Sequence, residues 1–306
     1  MRIGIDIGGS HIAVGFINNK YELVSKKEIS IKELKTNDDI KVKIENIIVK
    51  FIREILIENN ENENNIEIIG IGSPGTVKEG IIYNAVNLGI DCFNIKNAIG
   101  KYFKTKIYVQ NDCKCSGIGE KEKGALKEYS DCVFLALGTG IGGVVFMQDN
   151  MLIPNKFPGF EFGHMIINKN GNTCNCGNIG CFETYASMKK FKQDIINTFN
   201  LNKNIHGKQI YQYIKLHEDD IKIKECISKY ISNLTIGLTN IINIFEPEAI
   251  CLGGSFSYYE DILLNNLKEN LKGKLFNNSC PDILIAKHKN DAGLIGAAIL
   301  DKYQRK

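Results

Sequence analysis

Twice in this chain a strand-like hydrophobic run stops at a cluster of glycines and resumes at once. Residues 2–8 break at Gly8-Gly9-Ser10 and continue as 12–17. Residues 132–137 meet Gly138-Thr139-Gly140-Ile141-Gly142-Gly143 and continue as 144–147. Two β-rich runs around a glycine turn make a hairpin, and one hairpin at the start of each half argues for a duplicated architecture. The segments between alternate in type. A third strand is expected at 23–29. Ile40, Ile44, Ile47, Ile48, Phe51 and Ile55 then fall at helical spacing within 38–58, with Asp38 or Asp39 as the N-cap. A strand at 66–71 ends in Gly72-Ser73-Pro74-Gly75, a helix is expected near 95–102, a strand at 106–110 and a helix after Asp112. Farther on, a long helical pattern over 221–245 closes at Glu246-Pro247, a strand at 249–252 runs into Gly253-Gly254, and 292–303 reads as a final helix. Strand–helix alternation of this kind argues for an α/β fold with parallel or mixed sheets. The polar run 58–65 reads as a solvated connector, and the domain boundary is expected near 110–120.

A chain of 306 residues, 43% hydrophobic and 24% charged, has the material for about two ordinary domains and is not disordered. Its 38 basic and 35 acidic residues leave a charge of +3, which gives no electrostatic footprint for nucleic acid. No apolar run approaches the ~20 residues of a membrane span. Asp6 interrupts the N-terminal apolar run that a signal peptide requires. A cytoplasmic protein is expected, with neither nucleic acid nor membrane as partner.

Residues 138–143 match G-x-G-x-x-G, but Val144-Val145-Phe146 follows, which is strand chemistry. A dinucleotide fingerprint needs a helix there, so that reading fails. The paired glycine turns instead offer backbone N–H donors with no side chain to block a close anion, and together they favour phosphate binding. Asn111-Asp112 closes a strand and opens a helix. Asp112 is there either an N-cap or a general base at the strand edge where α/β folds gather ligands. The sharpest local signal is His164 with Cys174, Cys176 and Cys181, in a loop carrying Gly171, Gly177 and Gly180. Three thiolates and one imidazole complete a tetrahedral zinc shell with no place for water, so the metal is expected to be structural. The other seven of the ten cysteines read as small hydrophobes, and His11, His206, His217 and His288 as surface or core residues.

These residues resemble one family in order along nearly the whole chain. Residues 5–15 resemble the first phosphate motif of the ROK (repressor, open reading frame, kinase) sugar kinases. Asn111-Asp112 is similar to their catalytic dipeptide, and 137–144 to their second phosphate motif. Glu161-Phe162-Gly163-His164, followed by Cys-x-Cys-Gly-x-x-Gly-Cys-x-Glu through Glu183, resembles the family signature. Residues 251–254 and 292–298 are similar to its adenosine and C-terminal segments.

The resemblance implies an actin-like (hexokinase-type, ribonuclease H-like) ATPase fold, two α/β domains around a cleft. The first would span 1–115, joined by the C-terminal helix 291–306, and the second 116–290 with the zinc loop. It implies Asp112 as the base that takes the proton of a sugar's primary hydroxyl as it attacks the γ-phosphate of ATP. Gly8, Gly9 and Ser10, with Gly138, Thr139 and Gly140, would hold phosphates with Mg²⁺. Asp6 would stand near that metal through water, and Gly253 and Gly254 would line the adenosine pocket. Glu161, His164 and Glu183 would read sugar hydroxyls, with Asn111 and Gly75 beside them. His164 would bind Zn²⁺ with one ring nitrogen and face the sugar with the other. A homodimer is implied by the family alone.

Three departures qualify this. Ser10 replaces the usual Thr and keeps the hydroxyl. Cys113-Lys114-Cys115 replaces Ala-Asn-Ala after the base, and Lys114 is expected to lower the pKa of Asp112. Ile90 follows Asn87-Leu88-Gly89 where the family's glucokinases have Trp. The expected activity is glucose to glucose 6-phosphate, with N-acetylmannosamine kinase as the alternative and a non-catalytic sugar sensor as the reading from another class. The family's DNA-binding branch carries a helix-turn-helix domain ahead of the first phosphate motif. Here that motif begins at Ile3, so no such domain is expected.

Overall fold

The computed structural model describes residues 1–34, 39–154, 159–276 and 279–304. The chain divides into two compact units: Met1–Glu128 with Asp149–Gly159 and Lys287–Lys306, and Tyr129–Gln148 with Phe160–Ala286. The helix that begins at Asp112 lies wholly within the first, where the expected division fell at 115/116.

The first unit contains β1 (Arg2–Ile7), β2 (His11–Ile17), β3 (Leu23–Ser30), α1 (Ile31–Leu34), α2 (Ile40–Glu58), β4 (Ile68–Ser73), β5 (Thr76–Lys78), β6 (Ile81–Ala85), β7 (Ile90–Phe93), α3 (Ile95–Gly100), β8 (Lys106–Asn111) and α4 (Asp112–Lys123). Its main sheet has the order β3-β2-β1-β4-β8. The β1–β2 and β2–β3 pairs are antiparallel, whereas β1–β4 and β4–β8 are parallel. The sequence explains the order. Every residue of β4 is buried, as a central parallel strand requires, while β3 alternates lysine and glutamate with half-buried positions, as an edge strand should. Asp39 caps α2 by accepting from the Lys41 amide at 2.9 Å; the other expected cap, Asp38, lies outside the described residues. The helix buries Ile44, Ile48, Phe51, Ile52 and Ile55.

The helix Ala292–Ala297 sits on this sheet and against α4 at backbone contact. A Cβ on Gly4 would lie 2.0 Å from the Leu294 carbonyl oxygen, one on Gly70 1.7 Å from that of Ala297, and one on Gly296 1.7 Å from that of Cys115. The expected helix 292–303 stops at Ala297 and tightens into a 3₁₀ turn, Leu300–Tyr303. A three-stranded antiparallel sheet, β5-β6-β7, was not anticipated. Its strands are short and interrupted at Gly80 and Gly89, both at positive φ, so no periodicity develops.

The second unit repeats the plan. Here β9 (Cys132–Leu137) and β10 (Ile141–Met147) form the antiparallel hairpin, and β9 continues in parallel to the strands Ala249–Gly254 and Asp282–Ile285. The long helix Ile221–Phe245 matches its expected bounds. Asp220 caps it through the Lys222 amide at 2.7 Å, and it ends where Glu246 turns left-handed before Pro247. Among the described residues no helix is long and apolar enough to cross a membrane.

Candidate active site and metal centre

In the first unit the parallel register aligns the C-terminal ends of three strands. Asp6 of β1 lies beside Gly72 of β4, and Ser73 of β4 lies beside Asn111 of β8. The turn after β1 closes with the Gly8 amide donating to the His11 carbonyl at 2.9 Å, leaving Gly9 and Ser10 exposed. The Ser10 hydroxyl lies 3.0 Å from His11 Nδ1. Among the described residues no side chain hydrogen-bonds to the Asp6 carboxyl; desolvation first, then the charges of Asp112 and Asp291, push it up to about 7, with Lys26 opposing. An acid so placed suits a divalent cation and its waters.

The structure resolves the ambiguity at Asn111-Asp112. Asn111 is the N-cap of α4, its side-chain oxygen accepting from the amides of Cys113 at 3.1 Å and Lys114 at 3.4 Å. Its amide group donates to the Gly75 carbonyl at 3.3 Å, and Gly75 itself sits at φ +83° where a Cβ would meet the Tyr83 oxygen at 2.5 Å. Asp112 is thereby released from capping. Its carboxylate accepts from the Cys113 amide at 2.9 Å, with the Cys113 and Asn111 side chains as further hydrogen-bond partners. Burial raises its pKa against those hydrogen bonds. The expected lowering by Lys114 is not found. Residues two apart on a helix do not face each other, and Lys114 is turned into the interior at 8% exposure.

In the second unit Gly138 donates to the Gly140 carbonyl at 3.0 Å, forming the turn, and β10 follows directly, which removes the dinucleotide reading. Gly253 and Gly254 pair with Ala136 and Leu137, so they stand at the same sheet edge as this turn. Gly254 has φ +67°, and a Cβ there would meet the Leu137 carbonyl at 2.7 Å. Glu183 reaches the turn from the signature loop. One carboxylate oxygen lies 3.4 Å from the Ile141 amide, and the other accepts from the Cys174 thiol at 3.3 Å. Glu161 is exposed and caps the 3₁₀ turn Phe162–His164 through its backbone.

His164, Cys174, Cys176 and Cys181 converge, with ligand atoms all within 4.8 Å of one another. Cys174 Sγ is 3.7 Å from His164 Nδ1, and Cys176 Sγ is 3.6 Å from Cys181 Sγ. Zinc bonds of about 2.3 Å to sulfur and 2.0 Å to nitrogen put tetrahedral neighbours roughly 3.5–3.8 Å apart, so the donor set fits zinc. Burial pushes the Cys174 thiol up to about 12, while the Asn178 amide draws Cys176 down to about 7.

Two neighbours of Asp6 had no signal in the sequence. Lys26 Nζ contacts Asp291 at 3.0 Å and Glu28 at 2.9 Å, and both Lys26 and Asp291 act on Asp6. They lie 265 positions apart in the chain. The remaining histidines are, as expected, outside the cluster: His11, His206 and His217 are exposed and His288 is half-buried.

The model of the ROK family matches residues 2–304. The glucokinase of Halalkalibacterium halodurans is 29% identical over 99% of this chain and 95% of its own length. The xylose repressor of Caldicellulosiruptor bescii is 27% identical over 90% of this chain and 70% of its own. Among solved structures, a ROK family glucokinase from Streptomyces griseus in complex with glucose and AMPPNP aligns over 98% of both chains, with a TM-score of 0.82 at 24% identity. Kinases and repressors are thus both similar to this chain, and the two α/β sheets are those of the actin-like ATPase fold. The chain belongs to the ROK family.

Proposed function

We propose that this protein is an ATP-dependent hexose kinase that phosphorylates the 6-hydroxyl, with glucose as the substrate. The observation that carries the reading is Asp112, a half-buried carboxylate freed from capping by Asn111, at the sheet end where Asp6 also lies. Its raised pKa, caused by burial, makes it a stronger base than an exposed aspartate. It accepts the hydroxyl proton as the sugar oxygen attacks the γ-phosphorus, and ADP leaves. Asp6 would hold the Mg²⁺ that accompanies the donor, which would neutralise phosphate charge. The turns Gly8-Gly9-Ser10 and Gly138-Thr139-Gly140 bind the donor phosphates through backbone amides, with Gly253 and Gly254 beside the adenosine. Glu161, His164 and Glu183, with Asn111 and Gly75, read the sugar hydroxyls.

Zinc, when bound, supplies no chemistry to the reaction. His164, Cys174, Cys176 and Cys181 hold it, and it fixes the loop that carries His164 and Glu183. The protein is read as a cytoplasmic homodimer.

Asp112→Asn tests the proposal. Turnover is expected to fall roughly 10²–10⁴-fold with glucose affinity retained, and activity within tenfold of wild type would remove Asp112 as the base. ADP release across glucose, mannose, fructose, N-acetylglucosamine and N-acetylmannosamine identifies the sugar. A preference for N-acetylmannosamine moves the protein to the amino-sugar kinases with the mechanism unchanged. No turnover on any sugar by the zinc-loaded protein replaces the kinase reading with a sugar sensor.

A further inference from the structure

The two phosphate turns carry no cation, yet a triphosphate retains negative charge after one divalent ion is bound. A cavity of about 210 Å³ in the second unit supplies one. It opens beside the second phosphate turn, lined by Thr139, Thr173, Asn175, Glu183, Lys189 and Lys190 among others. The lining side chains are hydroxyls, amides, one thiol, the Glu183 carboxylate and two ammonium groups, with no aliphatic or aromatic residue among them. The two ammonium groups outnumber the one carboxylate, which leaves a charge balance that suits an anion.

The charges sort themselves by their partners. Lys190 is ion-paired to Asp194. Glu183 is engaged by the Ile141 amide and the Cys174 thiol. Lys189 is exposed, and among the described residues no ion pair holds its ammonium. Its backbone is fixed to the turn, because the Lys189 amide donates to the Gly138 carbonyl at 3.0 Å. This hydrogen bond sets the lysine's Cα beside the phosphate turn while leaving the side chain to reach into the cavity.

We infer that Lys189 binds a non-transferred phosphate of the phosphoryl donor, in the cavity it shares with Thr139. The inference rests on the kinase reading and adds the donor contact which that reading lacks. A lysine here acts as a point charge, so arginine replaces it and a neutral side chain does not.

The test is equilibrium binding by calorimetry, on the full chain with Mg²⁺, using AMPPNP and, separately, inorganic tripolyphosphate. Lys189→Gln is expected to weaken binding about tenfold, the size of one charge-assisted hydrogen bond, with glucose affinity unchanged. Lys189→Arg is expected to stay within about threefold of wild type. Equal weakening for both probes assigns the contact to the phosphate chain whatever its source. Weakening for AMPPNP alone assigns it to a nucleotide donor. Unchanged donor binding in Lys189→Gln, or a loss of glucose affinity in its place, overturns the inference and leaves the kinase reading standing. A wild-type protein that binds neither probe overturns both.

Discussion

The two glycine hairpins share a register and differ in what that register carries. In the first unit Asp6, the penultimate residue of its strand, pairs with Ala13 across the hairpin and lies beside Gly72 of the parallel neighbour. In the second unit the same place is taken by Ala136, which pairs with Gly142 and lies beside Gly253. Both positions are half-buried. One copy of the scaffold therefore holds a carboxylate where the other holds a methyl group. The second unit's acid at the turn, Glu183, arrives from a distant loop and is bonded to an amide and a thiol. Among the described residues Asp6 has no such side-chain or amide partner, and the charges that act on it most strongly are those of Asp112 and Asp291. A duplicated frame can thus differ in its acids: the first copy keeps poorly solvated carboxylates at its turn, and the second bonds its carboxylate to an amide and a thiol.

Removing the asymmetry is the strongest way to test it. Asp6→Asn gives the first hairpin a neutral side chain like its counterpart. Turnover with Mg²⁺-ATP is expected to fall at least about a hundredfold with glucose affinity retained; a loss under fivefold would mean that the difference between the hairpins is not functional. The same variant has a stability signature. Because the folded state raises the Asp6 carboxyl to about 7, it holds that proton more tightly than the unfolded chain does. Stability of the ligand-free protein should then decline as pH rises from about 4 to about 7, with the full penalty present above that. Asp6→Asn should gain on the order of a few kcal/mol at pH 8 and nothing at pH 4 in denaturant melts.

On the binding side, Cys176→Ala should lose zinc by elemental analysis and lower both the melting temperature and sugar affinity, since structural zinc contributes directly to folding. Zinc held at wild-type stoichiometry would show that Cys176 is not a ligand.

The glycines offer a finer contrast. Gly296→Ala would drive a Cβ to 1.7 Å from the Cys115 carbonyl, a contact no flexible side chain can relieve. About 3 kcal/mol or more of stability should be lost. Nothing lies within 4 Å of a Cβ on Gly138, so Gly138→Ala should change stability by less than about 1 kcal/mol. Equal losses at both would mean that the packing of Ala292–Ala297 against α4 is looser than these contacts require.

What could be read in advance follows the range of the interactions. The zinc ligands lie close together in the chain and have one chemistry in common, so spacing alone identifies them. The hairpins declare themselves because strand, turn and strand are contiguous. Asn111 and Asp112 were both visible, but which of them caps the helix depends on side-chain rotamers and hydrogen bonds, and neither leaves a trace in composition. Asp291 and Lys26 meet near Asp6 only after the chain has folded. Glu120, fully buried, accepts from the amides of Ala125, Lys287 and His288 at 2.8, 3.0 and 2.7 Å, a structural role that resembles any helix-face glutamate in the sequence.

Lys114 supplies the smallest expected effect and the sharpest distinction between nearness in sequence and nearness in space. Two positions after the base, it reads as a cation able to hold Asp112 ionised. The helix instead carries it round to the interior, and the Asp112 carboxyl moves upward through desolvation. Lys114→Met, which keeps the stem's packing and removes the charge, should therefore change kcat/KM by less than about threefold and leave the pH profile of turnover in place. A downward shift in Asp112 ionisation, seen as an acid limb moved to higher pH in the variant, would mean that the ammonium acts across the helix on the base. The first unit would then balance its acids with a charge of its own, and the contrast with Glu183 would narrow to one of geometry.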